Sequence, residues 1–517
     1  MRLRLSVYSI LFTISASLHG EVPPLLPAVA EIINRPEFKQ AQWGILLADR
    51  DTGEVLQANG PDKLYVPAST TKLFSSATAL EVLGPDYRFK TPVFKKGTLE
   101  GDGTLKGDLV LVASGDPTMG GRMTENGEIA FTDADHTYEA QAILTKPDPL
   151  AGLDALAKQV AATGIRYVDG EVYVDARLFE PGESSGSGPR HVNAITINDN
   201  VIDIIVRPKK DGEPAEVTWR PQSARVTVDA NVKTVPRDGK DRIHVHRTPS
   251  GGIVVRGEIR VAPDNEPVKP QVRIVEIDDP ASFARGLFIE ALNRAGVKTK
   301  SSALDANPSL DDIPRSLPEA DRVALLESPP FAENIRLILK VSHNLHASEL
   351  PILVGLKSGK PTIEAGLRKE HEVLESLGVD ANSISFGGGA GGSPADLVTP
   401  EAAVALLRGM TKHKSFAAYE RALPVLGVDG TLADAVEKGS PAVGRVRAKT
   451  GTYWWQDSLN DRRILTSKAL AGYIKSAKDR NLVFGIYLNY VHLSSTEERQ
   501  KVGKLLGKIC EHWVQSY

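Results

Sequence analysis

The segment Pro67-Ala68-Ser69-Thr70-Thr71-Lys72 begins a run in which leucine and alanine recur at helical spacing as far as Gly84. Proline before such a run and glycine after it mark the ends of a helix, so the sequence predicts one helix over 69–83. Ser69 and Lys72, three positions apart, share one face of that helix. Burial and the positive helix end lower the pKa of a lysine, which would let Lys72 accept the Ser69 proton.

Two further motifs lie in the second half of the chain. Lys449-Thr450-Gly451, followed by Thr452, is the only KTG, and on a strand edge it offers an ammonium group and hydroxyls to a carboxylate and a backbone N–H to an oxyanion. SxN occurs twice, but only Ser342-His343-Asn344 lies between SxxK and KTG, whereas Ser458-Leu459-Asn460 follows both. Each motif is weak evidence by itself. SxxK alone, for example, is better explained by a serine N-cap with a solvated lysine.

The order SxxK, SxN, KTG is the signature of penicillin-binding proteins and active-site serine β-lactamases. With its flanking segments, the chain resembles the D-alanyl-D-alanine carboxypeptidase/endopeptidase family, the class C low-molecular-mass penicillin-binding proteins of peptidase family S13, whose members carry a large insertion between SxxK and SxN. The segments that carry the resemblance span nearly the whole mature chain and are 67–72, 114–118, 170–175, 198–203, 342–349, 423–432 and 447–452. The resemblance implies an α/β fold, a penicillin-binding-protein/serine β-lactamase-like transpeptidase domain with a large, mostly β insertion.

The resemblance also implies a role for each motif residue. Ser69 would attack the carbonyl between two D-Ala residues, with Lys72 as its base and without a cofactor or a metal. Ser342 would pass a proton to the leaving amine, and Asn344 would hold Lys72 and the substrate amide. The terminal carboxylate of the substrate is expected to bind to Lys449, Thr450, Gly451 and Thr452. The backbone N–H groups of Ser69 and Thr452 would donate to the oxyanion. Peptidoglycan stem peptides and cross-links are the implied substrates, and β-lactam antibiotics would acylate Ser69.

Composition and patterning divide the chain into parts. Residues 1–20 read as a signal peptide, residues 21–90 and 321–517 as a discontinuous catalytic domain, and residues 91–320 as an inserted, mostly β region of two subdomains. A continuous helix is predicted over 332–348. Flexible loops are predicted at 120–148 and 182–188, where glycine is frequent and periodicity is weak.

The first twenty residues combine Arg2 and Arg4 with a short apolar run that ends at Leu18. This is the pattern of a secretory signal, which predicts cleavage between Ala16 and Glu21. A retained anchor or a buried N-terminal helix is the alternative. No later stretch is apolar enough to cross a bilayer, so we expect a soluble exported protein of the periplasm or cell envelope.

Length and charge exclude several classes of protein. A chain of 517 residues predicts two to four domains. Its formal net charge of −3 gives no positive field that would attract nucleic acid. Cys510 is the only cysteine, so the chain has no intramolecular disulfide and no zinc–cysteine cluster.

Several segments depart from the family pattern. The loop 388–393 reads Gly-Gly-Ala-Gly-Gly-Ser where the family commonly has Asp-Gly-Ser-Gly-Leu-Ser, and an insert at 453–465 is predicted to be a substrate wall or a lid. Trp454 and Trp455 in that insert either stack on sugar or peptide or anchor it locally. His343 replaces the usual Asp or Asn of SxN. With His346 it suggests a metal pair, but packing or local hydrogen bonding is favoured because there is no nearby third ligand of the right kind.

Two other functions share some of these motifs. A serine β-lactamase has the same opening motif, but its insertions are far smaller than the one between Lys72 and Ser342. A non-catalytic envelope protein that binds peptidoglycan would fit the altered glycine loop and the new insert, but not the intact SxxK, SxN and KTG residues. The sequence therefore favours a serine carboxypeptidase.

Overall fold

The computed structural model describes residues 23–136, 142–263, 267–493 and 495–517. The predicted signal peptide, residues 1–20, lies outside the described residues. The helices are α1 (Pro27–Ile33), α2 (Thr71–Leu83), α3 (Ala151–Ala162), α4 (Pro280–Arg294), α5 (Phe331–Lys340), α6 (Asn344–Lys357), α7 (Ile363–Ser376), α8 (Pro400–Met410), α9 (Phe416–Ala422) and α10 (Thr496–Ser516). In the part of the chain that the structure describes, no helix has the length and apolar character needed to cross a membrane.

The strands come from the two ends of the chain and from the long middle region. They are β1 (Gln42–Asp49), β2 (Val55–Asn59), β3 (Lys90–Leu99), β4 (Thr104–Val112), β5 (Tyr167–Val168), β6 (Val172–Asp175), β7 (Gly182–Glu183), β8 (His191–Val192), β9 (Val201–Arg207), β10 (Glu216–Arg220), β11 (Val228–Val235), β12 (Arg242–Arg247), β13 (Ile253–Arg260), β14 (Gln271–Glu276), β15 (Lys298–Thr299), β16 (Arg322–Glu327), β17 (Ile384–Ser385), β18 (Leu397–Val398), β19 (Val446–Asp457), β20 (Arg462–Lys475) and β21 (Asn481–Leu493).

A five-stranded antiparallel sheet joins the first two strands to the last three, in the order β19-β20-β21-β1-β2. Side chains alternate between the two faces of a strand, and β1 buries both sets. Ile45 and Leu47 pack in one core with Trp513 of α10, whereas Leu46 packs in another core with Leu73 of α2. The sheet therefore lies between two helical layers, and β19, which carries the KTG motif, is an edge strand.

The middle of the chain forms sheets and a core of its own. One sheet has the order β15-β5-β4-β3-β16 with β6 paired to β4, and two three-stranded sheets have the orders β10-β9-β14 and β11-β13-β12. Leu111 of β4, Leu156 of α3 and Leu287 of α4 are fully buried in the same cluster. Strand β16, residues 322–327, pairs with β3 of this sheet, although the sequence predicts that the catalytic domain resumes at residue 321. The division into domains and subdomains remains a prediction.

The continuous helix predicted over 332–348 is wrong. Helix α5 ends at Lys340 and α6 begins at Asn344, and Ser342 between them has a left-handed φ of 61°. The stretch has no proline or glycine to mark the break. His343 is instead fully buried against side chains of the middle region, and this tertiary contact overrides the helical periodicity.

Candidate active site

Ser69 lies in a single 3-10 turn, Ala68–Thr70, directly before α2. Ala68 has a φ of 47°, in the left-handed region that residues with a side chain seldom adopt. Gly391 passes so close to this turn that a Cβ atom there would lie 2.0 Å from the Ala68 carbonyl oxygen. The candidate nucleophile is therefore presented by a strained turn that a neighbouring loop holds in place.

The amine of Lys72 is completely buried and has three oxygen neighbours. Its Nζ atom donates to Ser69 Oγ at 2.9 Å, to Asn344 Oδ1 at 2.6 Å and to the Ala390 carbonyl oxygen at 2.7 Å. Burial lowers the pKa of Lys72 to about 7, against a smaller opposing effect of Asp396. When Lys72 is neutral, Asn344 and Ala390 still accept its two N–H groups, so its lone pair is left to accept the Ser69 hydroxyl proton.

Lys449 joins the SxN and KTG motifs. Its buried Nζ atom donates to Ser342 Oγ at 2.9 Å and to the Thr450 carbonyl oxygen at 2.7 Å. Burial, together with the charges of Lys72 and Lys468, lowers the pKa of Lys449 well below its ordinary value. Because Ser342 accepts from Lys449, the Ser342 hydroxyl proton can be donated to a group in the site.

The carboxylate-binding residues predicted from the sequence lie along the edge strand β19. Thr450 donates from Oγ1 to Thr431 Oγ1 at 2.8 Å, and Thr452 Oγ1 accepts from Lys468 Nζ at 2.8 Å. A Cβ atom at position 451 would lie 2.5 Å from the Pro67 carbonyl oxygen, so glycine is required where this strand passes the start of the nucleophile turn. The structure thus brings the SxxK, SxN and KTG residues into one connected site.

The glycine loop contributes backbone groups to this site. The Gly389 carbonyl oxygen accepts from Ser75 Oγ at 2.9 Å, next to the Ala390 carbonyl that holds Lys72. The carboxylate of Asp396 closes the loop by accepting from the backbone N–H groups of Gly387 at 2.8 Å and Ser393 at 2.9 Å. Burial raises the pKa of Asp396 to about 6. The loop therefore positions the Lys72 amine through the Ala390 carbonyl group.

The loss of side chains from the glycine loop has a steric reason. The loop predicted as flexible at 182–188 packs directly on it, and a Cβ atom at Gly388 or Gly392 would lie 2.0 Å from the hydroxyl of Ser185 or Ser187, respectively. The insertion loop thus fills the space that side chains at these positions would need.

The insert after KTG extends the β19–β20 hairpin. The two strands remain paired as far as Asp457 and Arg462, with one irregularity after Tyr453. Trp454 is 38% exposed and Trp455 is 54% exposed, and the Arg463 guanidinium lies 4.4 Å from the Trp454 ring centre. Tyr453 Oη donates to the Gly392 carbonyl oxygen at 3.3 Å, which joins the hairpin to the glycine loop. Tyr453 therefore links the start of the insert to the glycine loop, and the role of the insert as a wall or a lid stays a prediction.

The model of the D-Ala-D-Ala carboxypeptidase 3 (S13) family matches residues 25–508. The chain belongs to this family. The resemblance inferred from the sequence motifs is thereby confirmed.

Individual relatives agree with this assignment. A D-alanyl-D-alanine carboxypeptidase of Actinomadura sp. (strain R39) is 30% identical over 443 residues, which cover 81% of this chain and 75% of that protein. The D-alanyl-D-alanine carboxypeptidase DacB of Haemophilus influenzae is 21% identical and covers 90% of this chain and 88% of its own length. The crystal structure of H. influenzae penicillin binding protein 4 superposes with a TM-score of 0.69 at 18% identity, covering 95% of this chain and all of that chain. This likeness confirms the predicted α/β fold.

A buried cluster of charged residues connects the insertion of this S13 chain to its SxN motif. Arg122 donates to Asp135 at 2.7 Å and to Asp199 at 2.6 Å, and Asp199 also accepts from His346 at 2.7 Å. His343 Nε2 lies 3.4 Å from the same Asp199 carboxylate. Part of the segment 120–148, predicted to be a mobile loop, is thus packed into the protein by buried ion pairs.

Two groups of three side chains in the cluster each place their ligand atoms within 4.8 Å of one another. One group is Asp199, His343 and His346, and the other is Asp135, His136 and Asp199. Against the effect of burial, Asp203 and Asp199 raise the pKa of His136 to about 9, so His136 is charged at neutral pH. The cluster then has three cations and three carboxylates, namely Arg122, His136 and Arg220 with Asp135, Asp199 and Asp203. Asp199 is thus the nearby third ligand that the sequence prediction did not find, but because its carboxylate already pairs with Arg122 we interpret the cluster as an ion-pair network that holds the SxN segment.

Arg122→Met should lower the free energy of unfolding by about 3–5 kcal/mol, because it leaves Asp135 and Asp199 buried without their cation. Urea denaturation measures this loss. Arg190→Met is the control, since the Arg190 side chain is 63% exposed in its ion pair with Glu276 and should change stability by less than about 1 kcal/mol. Equal losses in the two variants would contradict a structural role for the buried cluster.

Sequence reasoning missed several groups of this S13 site. The Ala390 carbonyl accepts from Lys72, and Asp396 accepts from the Gly387 N–H. Both contacts depend on the conformation of the glycine loop, which no local pattern predicts. Thr431 lies in a segment that resembles the family, but its contact with Thr450 depends on the fold. Lys468 would have been found only from the register that places it opposite Thr452.

Proposed function

We propose that this chain is a serine D-Ala-D-Ala carboxypeptidase that hydrolyses peptidoglycan stem peptides, and cross-links of similar chemistry, through an acyl-enzyme on Ser69. The observation that carries the proposal is the buried Lys72 amine, 2.9 Å from Ser69 Oγ and fixed by two further acceptors. Membership of the S13 family supports the reaction class. A pKa of about 7 lets Lys72 act as a base at neutral pH.

Acylation begins when Ser69 Oγ attacks the carbonyl carbon of the penultimate D-Ala and Lys72 takes the hydroxyl proton. Backbone N–H groups of Ser69 and Thr452 stabilise the oxyanion. The C–N bond then breaks, and the amine of the departing terminal D-Ala takes a proton from Ser342, which regains one from the protonated Lys72. Water attacks the resulting ester, releases the shortened peptide and restores Ser69. The proximity of Lys449 to Ser342, at 2.9 Å, supports this proton path.

The terminal carboxylate of the substrate is bound by Lys449, Thr450 and Thr452. Amidating the terminal D-Ala of a test peptide should lower kcat/KM at least about tenfold, because charge-assisted hydrogen bonds are worth roughly 1.5–3 kcal/mol each and ~1.4 kcal/mol is a factor of ten. Mass spectrometry of the released D-Ala or D-alaninamide measures both rates. Lys449→Ala should lower kcat/KM more for the free acid than for the amide. Equal cleavage of the two peptides by the parent would contradict this assignment and make Trp454 and Trp455 the next candidates for recognition.

The same assay separates the alternative functions. A peptidoglycan-binding protein without activity would bind the peptide and release no D-Ala, and a serine β-lactamase would hydrolyse penicillin rapidly while leaving the peptide intact. H. influenzae penicillin binding protein 4 has been solved in complex with a β-lactam. We expect β-lactams to acylate this chain at Ser69, because they resemble the D-Ala-D-Ala terminus.

A peptidoglycan substrate requires an enzyme that works outside the cytoplasm. We propose that the chain is exported to the periplasm or cell envelope, on the basis of the charged and apolar segment at residues 1–20. N-terminal sequencing of the protein from the envelope fraction should return a start between Ser17 and Glu21. Recovery of Met1 would contradict cleavage.

A further inference from the structure

A second lysine lies behind the KTG motif. Lys468 on β20 is directly opposite Thr452 on β19, and its Nζ atom donates to Thr452 Oγ1 at 2.8 Å. Its aliphatic part passes over Gly503 of α10, where an added Cβ atom would lie 3.2 Å from the Lys468 Cε atom. The side chain is partly buried between strand and helix, which fixes the position of its amine.

The hydrogen bond determines what the Thr452 hydroxyl can offer. A hydroxyl has one proton to donate and two lone pairs, and here the ammonium group of Lys468 occupies one lone pair. The Thr452 proton is then directed to another acceptor, and the neighbouring cation polarises the O–H bond. A threonine held in this way presents a donor to an anion at the edge of β19.

The charges around β19 also favour an incoming anion. Among the residues that the structure describes, neither Lys449 nor Lys468 forms an ion pair with a carboxylate. Burial, and the charge of Arg499, lower the pKa of Lys468 to about 8, which still leaves its amine mostly protonated at pH 7. Lys468 therefore brings positive charge to the KTG strand, with no carboxylate partner among the described residues.

We propose that Lys468 is a positioning residue for the terminal carboxylate of the substrate, acting through the Thr452 hydroxyl and adding positive charge behind it. The inference rests on the proposed carboxypeptidase function and deepens it, because it identifies a group outside the SxxK, SxN and KTG motifs that selects peptides with a free carboxylate. It applies equally to the carboxylate of a penicillin.

The test compares Lys468→Met with the parent on a D-Ala-D-Ala peptide and on its C-terminal amide. Methionine keeps the length and packing of the lysine side chain but removes its charge and its donor. We expect kcat/KM on the free acid to fall about five- to twentyfold, mainly through KM, while cleavage of the amide changes less than about twofold. Lys475→Met, on the exposed end of the same strand, is the matched control and should leave both substrates unchanged.

A double-mutant cycle with Thr452→Val isolates the contact. If Lys468 acts through Thr452, then Lys468→Met should have less than about twofold further effect once the hydroxyl is absent. Fully additive losses, or equal losses on the acid and the amide, would contradict the proposal. If the methionine variant does not fold, Lys468→Gln replaces it in the same comparison of the acid with the amide.

The outcomes also separate this inference from the proposed function. A parent protein that neither cleaves the peptide nor is acylated by penicillin would contradict both. An active parent whose Lys468→Met variant retains full kcat/KM on the free acid would contradict only the role of Lys468.

Discussion

Ser69→Ala is expected to abolish covalent labelling by penicillin and to lower D-Ala release by at least about 10³-fold. The acyl-enzyme needs the hydroxyl oxygen, and neither the oxyanion N–H groups nor Lys72 can replace it. The loss should appear in kcat, because Lys449 and Thr450 still bind the substrate carboxylate. Intact-protein mass spectrometry after penicillin treatment shows the adduct directly.

A matched serine variant makes this result specific. Ser250 is exposed on the turn between β12 and β13, far along the chain from the catalytic motifs, and Ser250→Ala should be acylated at the parent rate. An adduct that persists in Ser69→Ala would show that another residue is the nucleophile. Normal D-Ala release by that variant would have the same meaning.

Lys72→Arg is expected to reduce the acylation rate by about 10²–10⁴-fold, the usual contribution of a general base. Arginine keeps the positive charge but remains protonated, so it cannot take the Ser69 proton. Lys63→Arg, at a surface lysine that pairs with Asp62, is the control and should react at the parent rate. Acylation of Lys72→Arg at nearly the parent rate would mean that Lys72 supplies only charge.

The pH dependence of the parent follows from the same residue. Lys72 must be neutral to act as a base, and burial lowers its pKa from the ordinary value of about 10.4 to about 7. Below pH 7 the protonated fraction rises, so kcat/KM should fall about tenfold for each further pH unit, and above pH 7 it should level off. A profile of kcat/KM from pH 5 to pH 9 measures this. A flat profile across pH 7 would contradict the assignment of Lys72 as the base.

The helix that carries the nucleophile could be predicted because its signals are local. Proline, the apolar spacing and Gly84 predicted a helix over 69–83, and the structure has α2 at 71–83 after a 3-10 turn. The left-handed φ of Ala68 could not be predicted, because no local signal such as glycine marks it, and neither could the close approach of Gly391 from a distant part of the chain.

The break at Ser342 shows where periodicity fails. The spacing of apolar residues predicted an uninterrupted helix, but His343 turns into the ion cluster around Asp199, which is more than a hundred residues away along the chain. Similarly, β16 pairs with β3, a strand more than two hundred residues earlier in the chain. The residues of one strand do not by themselves determine which other strand it pairs with.

The sequence by itself determined the family, the α/β fold and the pairing of Ser69 with Lys72, because short motifs and i,i+3 spacing act over a few residues. Only the tertiary structure decided the chemistry of that pair. The acceptors that orient the Lys72 amine, Asn344 and Ala390, are 272 and 318 residues away, and the burial that lowers its pKa exists only in the folded chain. Likewise the contact of Lys468 with Thr452 exists only in the register of β19 and β20, because a one-residue shift would point the amine to the opposite face of the sheet.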